Sequence, residues 1–530
     1  MSAASAILPA EAVGKPKVNP WIIGVVVSLA AFMEVLDSSI ANVALPHIAG
    51  NLGASNDEST WVLTSYLVAN AIVLPISGFM VSLLGRKHFF MIAIAFFTVS
   101  SFLCGVAPSL ALLLLFRIMQ GAFGGGLQPM AQAILADTFP PEKRGLAFAL
   151  YGVTAVVGPV LGPTLGGWIT DNYSWRWIFY INVPVGILAL LLVQLLVEDP
   201  PYLARMKKRM ANFDYVGFSL LTVGVGALQV LLDKGQEDDW FGSKFIVTLS
   251  ILAATGLIAL VVWEWRHKDP IVDVRLFKNF NFAITSVMFL MLGVALFSST
   301  VLMPQLLQTL MGYTAEEAGL VLSVGAVAML LLLPLVGQFT TRVQARFLIA
   351  AGWLLMAVSM YISARQIDLL ISFGNASWLR VLQSVSLPFL FVPLTLVGYV
   401  GLPSEKTNSA AGLMNFMRNM GQSIGTSALT TELARRGQFH QSILADYTAS
   451  PRFQTAIQGL ASQLHTAGLG MATAQHQASD RLYNMVQAQA AALSYVDAYW
   501  LLAVAAAIMF VGSFLLKPND PRKGGNVAMH

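Results

Sequence analysis

The stretch LAAFMEVLDSSIANVALP, residues 29–46, decides the fold. Glu34 and Asp37 stand three residues apart in it, so a helix places both on one face. Enough apolar residues surround them for that helix to cross a bilayer. A carboxylate at such depth costs about 2.5 kcal/mol or more and usually marks an ion or proton path. Hydrogen bonding to neighbouring helices alone is the plainer alternative.

Composition agrees with a membrane setting. The chain has 530 residues, 56% hydrophobic and 11% charged, where soluble domains carry about 25% charged. This makes it a polytopic membrane protein, and the net charge of +4 reflects orientation in the membrane rather than nucleic acid. Cys104 is the only cysteine and lies in an apolar run, which excludes an internal disulfide and a cysteine metal site. The seven histidines show no metal-ligand spacing within a span. The glycines of residues 121–126 are not followed by the Lys-Ser/Thr ending of a nucleotide loop. An enzyme, an ATP motor, a metal and any other cofactor are therefore unsupported, and a proton gradient is the expected energy source. No cleavage-type ending precedes the first long apolar run, so the first helix is expected to stay.

Fourteen spans are expected: 21–46, 60–84, 88–107, 109–136, 145–169, 177–197, 214–233, 244–265, 281–309, 315–340, 345–364, 376–402, 406–434 and 496–516. With the N-terminus inside, twenty Lys and Arg fall in inner segments and eight in outer ones, which puts both termini in the cytoplasm. Arg117, Arg380 and Arg418 remain within spans.

Internal duplication follows from two weak repeats. LPISG at 74–78 returns as LPLVG at 333–337, and Gly158-x-x-x-Gly162 returns as Gly421-x-x-x-Gly425, at offsets of 259 and 263. The near-constant offset predicts two six-helix bundles, residues 1–200 and 281–530, with a linker and two inserted helices at 201–280. Residues 435–495 form a long outer segment, rich in Gln and Ala, with helix-forming stretches such as 472–492. A connection of that length has a task or is disordered, and a docking surface for another protein is the expected task.

Several residues are candidates for chemistry. Asp37 lies nine residues before Pro46 and Arg117 nine after Pro108, so both sit roughly 13 Å below the outer boundary and can face each other. A carboxyl group in a dry span beside a guanidinium changes its proton occupancy when distance or hydration changes, which is what proton coupling needs. A permanent structural ion pair would have the same sequence. Gly158, Pro159, Gly162, Pro163, Gly166 and Gly167 crowd the fifth span, where small residues allow close approach and prolines bend the helix. This stretch is expected to form a bent seam between the two bundles. Gly78, Gly85, Arg86 and Lys87 close the second span at the inner face, and Gln120, Asn415 and Arg418 are candidates for lining a substrate cavity.

Together these residues resemble a family. VLDSSIANVALP at 35–46, LFRIMQG at 115–121, the Gly-Pro run of span five and WRWIFYINVPVG at 175–186 are similar to motifs of the fourteen-helix drug:proton antiporters of the major facilitator superfamily. The resemblance covers nearly the whole chain and is strongest to inner-membrane pumps of tripartite multidrug exporters. It implies a major facilitator fold and proton-coupled efflux of amphiphilic toxic compounds through the bacterial inner membrane. It also implies a periplasmic membrane-fusion adaptor and an outer-membrane channel as partners. Asp37, Glu34 and Arg117 become the proton-coupling residues. Two departures stand out: Ser82 replaces the usual acid of the loop after span two, and Glu34 occupies a position that is not acidic in the motif. Export of one metabolite class (fatty acid, siderophore or aromatic acid) is the alternative, with a non-transporting sensor or scaffold behind it.

Overall fold

The computed structural model describes residues 18–200, 213–448 and 450–518. Lys15, Lys17, Arg205, Lys207, Lys208, Arg209, Arg522 and Lys523, which entered the charge count, lie outside them. Among the described residues the chain is all-helical. In order the helices are α1 (Pro20–Val43), α2 (Leu45–Leu52), α3 (Asn56–Leu84), α4 (Arg86–Val106), α5 (Leu110–Gly124), α6 (Leu127–Thr138), α7 (Arg144–Asn172), α8 (Trp177–Tyr180) and α9 (Asn182–Leu196). They continue as α10 (Tyr215–Lys234), α11 (Lys244–Arg266), α12 (Phe280–Leu310), α13 (Ala315–Phe339), α14 (Ala345–Gln366), α15 (Phe373–Val397), α16 (Thr407–Thr448), α17 (Pro451–Thr466) and α18 (Met471–Gly512). α5 with α6, and α8 with α9, each form one crossing, so fourteen crossings result when α16 is included.

Side chains at the helix starts explain where the helices begin, and they come in matching pairs. Asn19 caps α1 and Asn279 caps α12. Ser55 with Glu58 and Thr314 with Glu317 form capping boxes at α3 and α13, and Ser109 and Ser372 cap α5 and α15. Each supplies an acceptor for a backbone N–H that the first turn leaves without a partner.

Packing repeats in the same order. α1 lies on α7 as α12 lies on α16, α3 on α5 as α13 on α15, and α4 on α9 as α14 on α18. The two sets meet along α3 with α16 and along α7 with α13. The duplicated LP-x-x-G segments sit at these two seams. A Cβ at Gly78 would come within 2.7 Å of the Ser409 nitrogen, and one at Gly145 within 2.6 Å of the Gly337 oxygen. Both contacts lie towards the end of the bundle that carries Arg86 and Arg144, here called the basic end. α10 and α11 touch through Gly224 and Gly256, and α10 also packs on α3 and α16, so this hairpin covers one seam and leaves the other uncovered.

Two expected span limits differ in the structure. The first crossing is broken, because α1 ends at Val43 and α2 follows after Ala44. Span thirteen does not end at 434, since α16 runs on to Thr448. The helix-forming stretches expected within 435–495 are helices: α17 packs on α18, and α18 passes without a break into the last crossing. Alanine carries this packing, with Ala461, Ala474 and Ala478 buried between the two helices. Among the described residues, thirteen segments are long and apolar enough to span a membrane. α16 is not among them because Asn408, Asn415, Arg418, Asn419 and Gln422 lower its hydropathy.

Candidate functional site

Glycine decides how closely α3 approaches α5. A Cβ at Gly121 would sit 2.3 Å from the carbonyl oxygen of Tyr66, and one at Gly125 2.7 Å from that of Asn70. The run that lacks a nucleotide-binding ending is therefore a packing device. It brings Tyr66 and Asn70 beside the two acids of α1.

Asp37 is fully buried, as is Arg117. The Nη1 of Arg117 donates to Asp37 Oδ2 at 2.7 Å. Asp37 Oδ1 accepts from Gln120 Nε2 at 2.8 Å and from Asn182 Nδ2 at 2.6 Å. Arg117 also donates through Nε to the Val62 carbonyl at 3.1 Å and through Nη1 to Gln120 Oε1 at 2.8 Å. Its guanidinium lies over the Tyr66 ring, 4.2 Å from the centroid, a cation–π contact strengthened by the burial of both groups. Asn182 is held in turn by Ser101 Oγ at 3.0 Å. Asp37 and Arg117, each nine residues in from Pro46 and Pro108, thus meet as a direct ion pair.

Glu34 lies one turn deeper and is 4% exposed. It accepts from Asn70 Nδ2 at 3.0 Å, from the Tyr66 hydroxyl at 3.3 Å and from Gln128 Nε2. Gln128 Oε1 in turn accepts from the Tyr151 hydroxyl at 3.1 Å and from Arg418 Nη2. Arg418 belongs to α16, so a chain of two hydrogen bonds joins the acid of one half to the arginine of the other. A second tie runs beside it, where Asn415 Nδ2 donates to Gln132 Oε1 at 2.8 Å. Tyr66 serves both acids, with its face under Arg117 and its hydroxyl on Glu34.

Of the residues expected to line a cavity, Gln120 is sealed between Asp37 and Arg117, and Asn415 and Arg418 tie α16 to α6. The Gly-Pro run of α7 also differs from expectation. Cβ atoms at Gly158, Gly162 and Gly166 would meet Val35, Ser39 and Ile40, so the glycines pack on α1 within one half and do not form the seam between halves. Gly167 has only Val43 near it, at 3.9 Å. Pro163 cannot donate to the Pro159 carbonyl one turn earlier, and Ser39 Oγ donates there at 3.4 Å instead. Gly421 and Gly425 meet Leu290 and Val294 of α12 in the equivalent place.

The basic end is pinned by Arg86. It pairs with Asp137 at 2.7 Å and donates to Asn408 Oδ1 at 3.1 Å, tying α6 to α16. Gly85 has φ +85° and so favours glycine. Lys87 binds Asp199 through its backbone N–H at 2.7 Å and the Gln194 carbonyl through Nζ at 2.6 Å. Arg86 finds its acid in Asp137, which sequence reasoning missed along with Tyr66, Asn70, Gln128 and Asn182. A polar residue on an apolar helix was the available signal for each.

Comparison with known proteins agrees with this geometry. Residues 27–426 match the Major Facilitator Superfamily. The chain is 38% identical to the multidrug export protein EmrB of Escherichia coli K12, over 96% of this chain and 98% of that one. It is 39% identical to EmrB of Haemophilus influenzae over 93% of this chain and 94% of that one. The fatty acid resistance protein FarB of Neisseria gonorrhoeae is 41% identical over 79% of this chain and 82% of that one. The proton:xylose symporter XylE shares the fold at 15% identity and a TM-score of 0.59, with 96% of this chain and 97% of that chain covered. The buried acid–arginine pair therefore sits in a multi-pass membrane transporter, and the chain belongs to the Major Facilitator Superfamily.

Proposed function

We propose that this chain is a proton-coupled antiporter of the bacterial inner membrane that expels amphiphilic toxic compounds. The observation that carries the reading is the fully buried ion pair of Asp37 with Arg117. A buried pair with further hydrogen bonds on the carboxylate is costly to break on one side only. Protonation of Asp37 removes the charge that holds Arg117 and Asn182, and it does so on the helix whose next turn carries Glu34. Glu34 reaches the opposite half through Gln128 and Arg418. A proton taken up at Asp37 and a rocking of the two halves are thus connected through α1. Each charge falling through 100 mV contributes about 2.3 kcal/mol, so one net proton supports somewhat under a hundredfold gradient of a neutral compound.

Breadth of substrate is supported by similarity to proteins named as multidrug export proteins. The helical segment opposite the basic end exposes Phe439, Ile443, Tyr447, Tyr483 and Met485. Such apolar groups on otherwise polar helices suit a docking surface for a periplasmic adaptor, which connects in turn to an outer-membrane channel. A second reading, export of fatty acids alone, is favoured by the 41% identity to FarB.

The test is transport in energised everted vesicles. Asp37→Asn is expected to abolish accumulation driven by a pH difference while leaving the protein in the membrane. Accumulation by that variant at the unaltered rate would remove the coupling role. A competition panel of cationic, neutral and anionic amphiphiles separates the two readings.

A further inference from the structure

The inserted helix α10 is bonded to both halves of the molecule at the end opposite the basic end. Midway along α3, α16 meets it directly, where Asn419 Nδ2 donates to Asn70 Oδ1 at 3.3 Å. One turn further along α16 the partner is α10 instead. Gln229 Nε2 donates to Ser423 Oγ at 2.8 Å, and Ser423 Oγ donates to Gln229 Oε1 at 3.1 Å. Two turns beyond that, Thr431 Oγ1 accepts at 3.1 Å from the indole N–H of Trp240, in the turn that follows α10.

Matching bonds come from α3. Thr64 donates its hydroxyl to Asp233 Oδ2, and Thr60 Oγ1 accepts from Lys234 Nζ at 2.5 Å. Lys234 is 5% exposed and also donates to Glu237 Oε2 at 2.5 Å. A buried ammonium cannot give up such acceptors without leaving its charge unsatisfied, so α10 is held firmly here. The gripped turn of α3, residues 60–64, contains Val62, whose carbonyl accepts from Arg117 Nε at 3.1 Å. The same turn therefore joins α10 on one side and the Asp37–Arg117 pair on the other.

Backbone strain marks the link to α16. Among the described residues other than glycine, Asp239 and Trp240 have positive φ, at +56° and +46°. Side chains with a Cβ rarely occupy that region, and they stay there only where their surroundings impose it. Trp240 donates its backbone N–H to the Gly235 carbonyl at 2.7 Å, and its indole N–H is shared between Thr431 and Gln236 Oε1, the latter at 3.2 Å. A Cβ at Gly235 would stand 2.7 Å from the Trp240 ring, so the glycine lets the ring fold back onto α10.

We propose that α10 is a strut in series between the two halves, with Asp233, Lys234 and Trp240 as positioning residues. A displacement of α16 reaches the 60–64 turn through them and moves the carbonyl that anchors Arg117. The proposal rests on the efflux reading for the use of that movement, and not for the strut itself.

Two cuts test it in the full chain in nanodiscs. Thr60→Val with Thr64→Val severs α10 from α3, and Ser423→Ala with Thr431→Val severs it from α16. Spin labels on Asp57→Cys and Arg435→Cys, both exposed positions, report the separation of α3 and α16 at this end, and buried Cys104 is out of reach of the label. Ties in series fail together. Either cut is expected to raise the longer-distance population about fivefold, and both cuts combined are expected to raise it no further. Independent packing contacts would add instead. Trp240→Phe keeps the ring, loses the N–H and is expected to act like the second cut, which it replaces if that double substitution does not fold. In energised everted vesicles, with radiolabelled decyltrimethylammonium, decanol and decanoate as probes, each cut is expected to lower the maximal rate about fivefold with the half-saturating concentration unchanged. Cuts whose effects add, that leave the distances unchanged, or that open the distances without slowing transport overturn the proposal. If the distances behave as expected while Asp37→Asn still pumps, or while the wild type accumulates none of the probes, the efflux reading fails and the strut stands.

Discussion

The two halves of the molecule share a scaffold and differ in charge. Caps, seam glycines and the Arg-x-x-Gln element recur at steps of 259 and 263 residues. The carboxylates Glu34 and Asp37 do not recur, since α12 has none. Backbone packing is therefore what the two halves hold in common, and ionisable chemistry is what separates them. That division has a physical basis. A glycine at a seam or a serine at a helix start is required by any chain that packs this way, whereas a buried acid is a cost in every conformation and persists where it has work to do.

The sharpest way to break this comparison is to remove each arginine. Arg117→Gln leaves Asp37 buried without its counter-charge, and a stranded buried charge costs about 3–5 kcal/mol. The melting temperature in detergent should fall steeply, and the double substitution Asp37→Asn with Arg117→Gln should recover most of the loss. Arg380→Gln strands no carboxylate of α12, α14 or α15, so its melting temperature should fall less. Equal losses for the two arginines would mean that the halves do not differ in the way their sequences state.

A smaller effect is expected at the seams. A Cβ at Gly78 would lie 2.6 Å from Ser409 Cα and 2.7 Å from its nitrogen, both backbone atoms that cannot rotate away. A Cβ at Gly337 would meet the Gly145 oxygen at 3.0 Å and the Ala149 Cβ at 3.2 Å. Overpacking of this kind costs about 1–3 kcal/mol, so Gly78→Ala should hold the basic end apart and Gly337→Ala should do so less. Spin labels on cysteines placed at Leu84 and Glu405 report the separation as a distance distribution. An unchanged distribution for Gly78→Ala would show that α3 and α16 have slack there.

Much of this was legible in the sequence because it depends on local pattern. The crossings follow from apolar run length, and the facing of Asp37 and Arg117 follows from counting residues inward from two prolines. Other parts depend on which helix lies beside which. Asp137 reaches Arg86 from α6, and Asn182 reaches Asp37 from α9, and nothing within either helix announces the partner. Glycine spacing likewise reveals a close contact without saying which helix provides it, and Gly158, Gly162 and Gly166 find theirs on α1. In residues 435–495 the helices were legible and their continuity with the neighbouring crossings was not. Gln and Ala favour helix, but nothing in that composition says that the helices continue α16 and α18.

The smallest predicted effect is also the strictest test of common scaffolding. Ser55 accepts from the Glu58 backbone N–H at 3.1 Å and Glu58 Oε2 accepts from the Ser55 N–H at 2.8 Å. Thr314 and Glu317 make the same two bonds at 3.2 Å and 2.8 Å. Replacing a capping Ser or Thr by Ala costs about 1 kcal/mol, and the cost acts on the first turn because only its N–H groups lose their acceptor. Ser55→Ala and Thr314→Ala should therefore speed amide exchange in the opening turns of α3 and α13 by about fivefold each. Exchange that quickens at one helix and not at the other would show that the two capping boxes, alike in geometry, carry different loads.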